Sequence, residues 1–204
     1  PRAADDVVLS TPVGVLQDRT GRVWVADAGN SRVLVFDRSL ERVLGQVGSY
    51  GTAPGEFDLP FRLAHHPSEP RVLVTDLGNE RVQELSYDAV SDGVEVTAER
   101  LFSTDTADFH PNGIAVREDG GSLTVFVADE FYHADRTDTR SRIVVFDGEG
   151  TQRHSFRSVR DDGDDIGIYW PQGLDTDAEG NLLLANTGYG QQATEGGRPA
   201  YYAN

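Results

Sequence analysis

Two segments of the chain combine aromatic and imidazole side chains that suit the binding of a partner. Each is an enlarged version of a turn in which an acidic residue and an arginine stand five positions apart, as in Asp27 and Arg32. In the enlarged turns, Asp129 and Arg142 are 13 positions apart, and an asparagine and an arginine are 12 apart. Extended loops on a rigid scaffold concentrate binding residues, although drift of exposed loops is an equal alternative. The candidate ligand-binding residues in these loops are Phe131, Tyr132, His133 and Tyr189.

A second group of candidates follows four prolines that begin similar segments at intervals of 48, 51 and 60 residues. The chemistry predicted for both groups is binding, because no nucleophile, base and orienting residue can be assembled from motifs. The starting prolines are Pro12, Pro60, Pro111 and Pro171, and the candidates that follow them are Phe61, Arg62, Asn112 and Gln172.

A four-part repeat must position both groups. Each starting proline is followed by a turn and an apolar run, then by a third segment that begins with arginine and, in three repeats, by a weaker fourth. Four strands per repeat and a period near 50 residues predict an all-β fold, a β-propeller of four-stranded blades with four repeats visible. The apolar runs end at Asp27, Asp76, Asp129 and Asn186, and the third segments begin at Arg32, Arg81, Arg142 and Arg198.

Residues 1–204 are therefore predicted to form a single propeller domain or a portion of one. The opening segment Val7–Leu9 reads as a short apolar strand. If it completes the last blade, the ring closes with four blades; if not, the chain is part of a six-bladed propeller. In either case the entry to each innermost strand and the loop between the second and third strands open on one face, the upper face, so both candidate groups lie there.

The turns between the second and third segments repeat a carboxylate, an amide and a guanidinium. Such a set can satisfy a tight turn by charge-assisted hydrogen bonds, and its recurrence in several repeats favours a structural role. The residues are Asp27, Asn30 and Arg32 in the first repeat and Asp76, Asn79 and Arg81 in the second.

The five histidines and one acidic run are the other candidate metal ligands in the sequence. The histidines are scattered, and no HxxxH or HExxH pair occurs, so surface or turn positions are expected for them. The run Asp161–Asp165 could attract Ca²⁺ but lacks the spacing of a calcium loop, which favours a solvated loop.

The charge balance bears on partners and habitat. The net charge is -16, from 34 acidic residues and 18 basic residues that are all arginine. We interpret this acidic surface as halophilic adaptation of a haloarchaeal kind, and the absence of basic runs disfavours nucleic acid. There is no cysteine and no apolar run long enough to span a membrane. The first residue is not methionine, so processing is expected, and an extracellular or cell-envelope location is favoured.

The phrases GRVWVADAGNSRVLVFD and GSYGTAPGEFDLP resemble the NHL repeat, and the resemblance extends over nearly the whole chain. It implies a propeller with a central channel, most often of six blades, which favours the larger-propeller alternative. Members of the family commonly act as noncatalytic binding or scaffold modules. We therefore predict that the upper face binds a protein, peptide or glycan, without a cofactor and within a possible larger assembly.

The segment HPNGIAVREDGGSLTVFVAD is also similar to the gluconolactonase and senescence-marker propellers, which are metal-dependent hydrolases. This similarity implies that Asn112 is a metal ligand, for Ca²⁺ or another divalent cation. Gln172 replaces the aspartate expected of that family, and its early glutamate has no match, so hydrolase activity is the alternative. The histidines that hold zinc in the similar peptide-amidating lyases are absent after all four prolines.

Overall fold

The computed structural model describes residues 2–104, 108–130, 141–161 and 164–186. Within those ranges the chain forms β-strands and three short 3-10 turns, with no α-helix. None of the described helical segments is long and apolar enough to cross a membrane. The chain divides into two compact units, residues 1–102 and 103–204, and each holds two of the predicted repeats.

Blade 1 (residues 12–47) is an antiparallel sheet to which the start of the chain adds a fifth strand. Its strands are β1 (Arg2–Ala3), β2 (Pro12–Gln17), β3 (Val23–Asp27), β4 (Arg32–Phe36) and β5 (Arg42–Val47). The strand order is β1-β5-β4-β3-β2, so β1 pairs with the outermost strand of its own blade.

Blade 2 (residues 60–102) completes the first unit as a four-stranded antiparallel sheet. The two sheets bury one common core, in which Trp24 contacts Tyr87 at 4.9 Å between ring centroids. Branched side chains of β3, β4 and the strands of blade 2 fill the rest of this core, as expected where two pleated faces pack together. The strands are β6 (Pro60–His65), β7 (Arg71–Asp76), β8 (Arg81–Val90) and β9 (Gly93–Phe102).

The second unit holds blade 3 (residues 111–156), a separate hairpin and the first two strands of blade 4 (residues 171–186). Phe126, Ile143 and Leu184 belong to one buried cluster, so blades 3 and 4 share a core. The strands are β10 (Pro111–Asp119), β11 (Ser122–Asp129), β12 (Arg142–Asp147), β13 (Gln152–Phe156), β14 (Ser158–Asp161), β15 (Asp164–Gly167), β16 (Pro171–Thr176) and β17 (Leu182–Asn186).

These sheets confirm the predicted fold class. Each of the four prolines is the first residue of an innermost strand, and the second strands end at the four predicted residues. Three of the four predicted arginines begin third strands, and the fourth, Arg198, lies outside the described residues. Whether the four blades form a single domain stays a prediction.

Two local predictions were wrong. Val7–Leu9 is not a strand: the carbonyl oxygen of Val8 accepts hydrogen bonds from the Asn30 and Arg32 side chains, which tie the segment to a turn of blade 1. The acidic run is not simply a solvated loop, because Asp161 and Asp164 pair across the hairpin of β14 and β15. Residues 162–163 of the run lie outside the described ranges.

Several hairpins share a four-residue turn with aspartate first and glycine fourth, which we call the Asp-x-x-Gly turn. The aspartate carboxylate accepts backbone N–H groups of the turn, and the glycine adopts a φ of +84° or +85° that side chains disfavour. Leu40 occupies the glycine position of one such turn at a φ of +61°. The turns begin at Asp18, Asp37, Asp147 and Asp177.

The turn geometry lowers the pKa of Asp18, Asp37 and Asp177. At Asp18 burial raises the pKa, but the hydrogen bonds of the turn together outweigh it and lower the pKa below its ordinary value. The backbone N–H of Arg42 lowers the pKa of Asp37, and the side chain of Asn181 does the same for Asp177. The turns therefore depend on ionised acceptors.

Candidate functional site

The carboxylate that ends the second strand in blades 1, 2 and 3 is a structural anchor, as Asp76 in blade 2 shows. One oxygen of Asp76 accepts Asn79 Nδ2 at 2.9 Å, Arg81 Nε at 2.8 Å and Gln83 Nε2 at 3.0 Å. The other accepts the backbone N–H of Asp58 at 2.8 Å, just before the starting proline of the same blade. The side chain of Asp76 is fully buried, so these bonds are made away from water.

Arg81 extends this network into the loop that leads from blade 1 to blade 2. Its terminal nitrogens donate to the carbonyl oxygens of Thr52, Ala53 and Glu56 at 2.6, 3.0 and 2.8 Å. The buried ion pair of Asp76 and Arg81 therefore also fixes the loop that precedes blade 2. The sequence alone predicted a structural role only in the turn.

The same ion pair recurs in blades 1 and 3. Asp27 accepts both Asn30 and Arg32 at 2.8 Å, and Asp129 accepts Arg142 at 2.7 Å. The last pair persists although the two residues are 13 positions apart, so the ion pair closes the base of the enlarged loop. These contacts confirm the structural interpretation of the turns.

A polar cluster lies where the inner strands of blades 3 and 4 begin. Asn112 follows the starting proline of β10, and its Nδ2 donates to Oε2 of Glu130, the residue after β11. The side chain of Gln172, in β16, donates to the same carboxylate. We call Asn112, Glu130 and Gln172 the Glu130 cluster, and it joins the two predicted candidates through a third residue.

Local backbone geometry brings these side chains together. A bulge between Pro111 and Ile114 interrupts the pairing of β10 with β11. A Cβ on Gly113 would lie 2.7 Å from the carbonyl oxygen of Gln172, so glycine lets the two inner strands approach closely. The backbone N–H of Glu130 donates to the carbonyl oxygen of His110 at 3.0 Å, which holds the carboxylate at the strand end.

Burial raises the pKa of the Glu130 carboxyl above its ordinary value, against the opposing effects of the Asn112 and Gln172 side chains and of His110. Glu130 is half-buried, Asn112 is buried and Gln172 is exposed. The cluster therefore reaches from the interior of the blades to the surface, and it combines a carboxylate acceptor with two amides that can donate or accept.

Glu130→Gln is expected to increase the free energy of unfolding relative to wild type near neutral pH and to leave it unchanged in acid. A raised folded pKa means that the contribution of Glu130 is fully present below its ordinary pKa and is lost as pH rises through the raised value. Glutamine keeps an acceptor for both amides but cannot ionise. Urea unfolding between about pH 4 and pH 8 measures the difference.

Glu149→Gln is the matched control, because Glu149 is exposed in the hairpin between β12 and β13. It removes one negative charge from the same unit without touching the cluster. A stability difference between Glu130→Gln and wild type that stays constant across this pH range would contradict a burial effect on Glu130.

Glu130 is the residue that sequence reasoning missed. It directly follows a strand-ending aspartate, where the first two repeats have Ala28 and Leu77. A charged residue at this position in only one of the first three repeats was the available signal. The predicted loop residues Phe131, Tyr132, His133 and Tyr189 lie outside the described residues.

Phe61 and Arg62 belong to the first unit and contact each other. The Arg62 guanidinium lies over the Phe61 ring, 5.0 Å from its centroid, and one nitrogen donates to the carbonyl oxygen of Val13. The backbone N–H of Arg62 donates to Thr75 Oγ1 at 2.8 Å. These two candidates therefore form a fixed pair at the start of the innermost strand of blade 2.

The described residues contain no group of three histidine, aspartate or glutamate side chains arranged to hold a metal ion. Among the described histidines, His66 accepts the backbone N–H groups of Ser68 and Glu69, and His154 lies in β13. Asn112 as a metal ligand stays a prediction, and the carboxylate of Glu130 lies beside it.

Repeated antiparallel sheets of this kind, each starting from the same proline position, define a β-propeller protein. Residues 9–36, from the approach to β2 through the end of β4, match the family model of the NHL repeat. This match confirms the predicted resemblance to the NHL repeat for the first repeat of the chain. No curated protein matches the chain.

Similar solved structures agree on the fold. A streptogramin B lyase is 16% identical with a TM-score of 0.59, and the match covers 89% of this chain and 50% of that one. A nidogen/laminin complex is 16% identical with a TM-score of 0.60, and the match covers 88% of this chain and 58% of that one. The Cps50 (Swd1) beta-propeller domain of Myceliophteria thermophila is 11% identical with a TM-score of 0.57, and the match covers 86% of this chain and 48% of that one. The chain spans about half the length of these structures, and at such identities the likeness shows the fold alone.

Proposed function

We propose that the chain is a noncatalytic binding module whose partner contacts the Glu130 cluster and the enlarged loops beside it. The observation that supports this proposal is the meeting of Asn112 and Gln172, from two different blades, on one half-buried carboxylate. Both amides stand on paired strands, so the cluster is held in place before any partner arrives.

The residues around the cluster favour binding over catalysis. The carboxylate of Glu130 already accepts two amide donors, and neither amide of the cluster can act as a nucleophile. The sequences of the loops that start beside this cluster include the aromatic residues Phe131, Tyr132 and Tyr189. Aromatic side chains are typical anchors of interfaces.

The charge of the chain narrows the class of partner. With a net charge of -16 and no lysine, the protein repels phosphate backbones, so a protein, peptide or glycan is the expected partner. The nidogen/laminin complex shows a protein of similar fold in a protein complex, and the streptogramin B lyase shows one that is an enzyme. The fold is compatible with both uses.

The test is affinity capture followed by measurement with the purified partner. Immobilised wild type, an Asn112→Ala/Gln172→Ala variant and the Glu149→Gln control are exposed to native extract at constant salt. The purified partner is expected to bind the double variant at least about tenfold more weakly, because the variant lacks the two side-chain amides that would hydrogen-bond to the partner. The control is expected to bind as wild type.

Alanine substitution of Phe131, Tyr132 and Tyr189 tests the loops separately and is expected to weaken the same partner. Melting temperatures of all variants are compared first, so that loss of folding is not mistaken for loss of binding. If neither the cluster variant nor the loop variant changes the Kd, the proposed surface is wrong.

A lactonase of the gluconolactonase type is the second candidate, and the observation that favours it is Glu130. With Asn112 and Gln172 it offers three side chains with oxygen ligands and one negative charge, which fits weak binding of Ca²⁺. A bound cation would polarise the carbonyl group of a lactone. Because Asn112 Nδ2 faces Glu130, the amide would have to turn over to present its oxygen.

Calorimetric titration with Ca²⁺ and a gluconolactone hydrolysis assay separate this candidate from the first. A lactonase requires saturable Ca²⁺ binding and Ca²⁺-dependent turnover that Asn112→Ala abolishes. Turnover that is equal in Asn112→Ala, or absent in the wild type at saturating Ca²⁺, removes the hydrolase candidate.

A further inference from the structure

Blade 2 departs from the other three repeats at the third residue of its innermost strand. Blades 1, 3 and 4 have glycine there, and blade 2 has Arg62. In blade 1 the glycine is required by space, since a Cβ on Gly14 would overlap the carbonyl oxygen of Phe61. In blade 2 the position instead carries a long cationic side chain, which is anchored at both its backbone and its tip.

The Arg62 guanidinium is held by two contacts. Its central carbon lies over the Phe61 ring, 5.0 Å from the centroid, and one nitrogen donates a hydrogen bond to the carbonyl oxygen of Val13. A guanidinium carries five N–H donors, so most of its donors remain for another acceptor. These donors form a planar fork along the edge of the guanidinium, which can recognise a ligand.

The charge of Arg62 is not neutralised by any carboxylate among the described residues. The other half-buried or buried arginines of the first unit each have an acidic side chain within 4.0 Å. They are Arg22, Arg32, Arg71, Arg81 and Arg100. Arginines of this unit that have no such pair, such as Arg19 and Arg38, are exposed to water. The chain has 34 acidic residues and 18 arginines, so acidic partners are plentiful. A half-buried guanidinium without one is therefore an exception among the arginines of this unit.

We propose that Arg62 and Phe61 form a binding site for a carboxylate group attached to an apolar or aromatic body. The planar fork of arginine matches a carboxylate in a bidentate way, and the Phe61 ring supplies an apolar wall beside it. One cation in a protein of net charge -16 suits a monoanion and disfavours a phosphate dianion. The site lies wholly within the first unit and does not depend on the Glu130 cluster.

The test uses benzoate as the probe, benzamide as its neutral isostere and inorganic phosphate as the competing anion. Binding is followed at constant ionic strength by NMR, through the arginine side-chain signals and the aromatic signals of the intact chain. Benzoate is expected to bind saturably, and benzamide and phosphate are expected to bind about tenfold more weakly or not at all.

Four variants identify the residue responsible for binding. Arg62→Gln is expected to weaken benzoate by about tenfold or more, and Arg62→Lys to be intermediate because it keeps the charge and loses the fork. Arg38→Gln is the matched control, since it removes an exposed guanidinium that has no ion pair. Arg62→Gly, which introduces the residue of the other blades, checks that loss of binding does not come from misfolding. Equal benzoate affinity in Arg62→Gln and wild type, or phosphate binding as tight as benzoate, would overturn the proposal.

Discussion

Asp76→Ala is expected to lower the free energy of unfolding by about 3–5 kcal/mol, because it leaves the buried Arg81 guanidinium without its counterion. It also removes the acceptor for the backbone N–H of Asp58, just before the starting proline of blade 2. Urea unfolding followed by tryptophan fluorescence measures the loss, since Trp24 lies in the core that blades 1 and 2 share.

Asp88→Ala is the control for this prediction, because Asp88 is exposed near the end of β8 in the same blade. Its effect is expected to stay within about 0.5 kcal/mol. Asp76→Asn should fall between the two, as it keeps the size and the acceptor oxygen but loses the charge. A loss below about 1 kcal/mol in Asp76→Ala would mean that the ion pair does not stabilise the fold.

Gly14→Ala is the second substitution with a large expected effect. The added Cβ would overlap a backbone carbonyl oxygen, that of Phe61, which cannot rotate away as a flexible side chain can. Overpacking of this kind costs about 1–3 kcal/mol or forces the inner strands of blades 1 and 2 apart. The same unfolding measurement, with amide exchange of β2 and β6, distinguishes lost stability from separated strands.

Gly173→Ala is the matched comparison, because Gly173 holds the same place in blade 4. Among the residues that the structure describes, its Cβ would meet only the Cβ of Ala185, at 3.2 Å. We expect a small change there, as the contact is tight but with a side chain and alanine suits a strand better than glycine. If both substitutions cost the same, close approach of neighbouring inner strands is not what the glycine at this position provides.

The sequence predicted the strand boundaries well because the same residues that end or begin strands also make the anchoring contacts. Asp76 and Arg81 face each other across β7 and β8 and form the buried ion pair. Their spacing in the sequence therefore indicates the register in which the two strands pair. Val7–Leu9 could not be predicted in the same way. Its apolar pattern suits a strand, but its carbonyl group is taken by side chains of a turn more than twenty positions away.

The candidate site was only partly predictable. Asn112 and Gln172 could be placed together because both follow starting prolines of neighbouring blades. Glu130 could not, since its link to them depends on the bulge in β10 and on the ends of two paired strands. The contact of Arg62 with Phe61 also depends on the direction of a side chain, which the spacing of residues does not determine.

The Asp-x-x-Gly turns have a consequence for any attempt to reduce the net negative charge of the protein. The carboxylates of Asp37 and Asp177 hold their hairpin turns closed, and their lowered pKa keeps them ionised into the acidic range. Replacing them to reduce charge repulsion would also destabilise these turns. Exposed carboxylates outside such turns, for example Asp88 and Asp92, are the ones that can be exchanged for neutral residues at little structural cost.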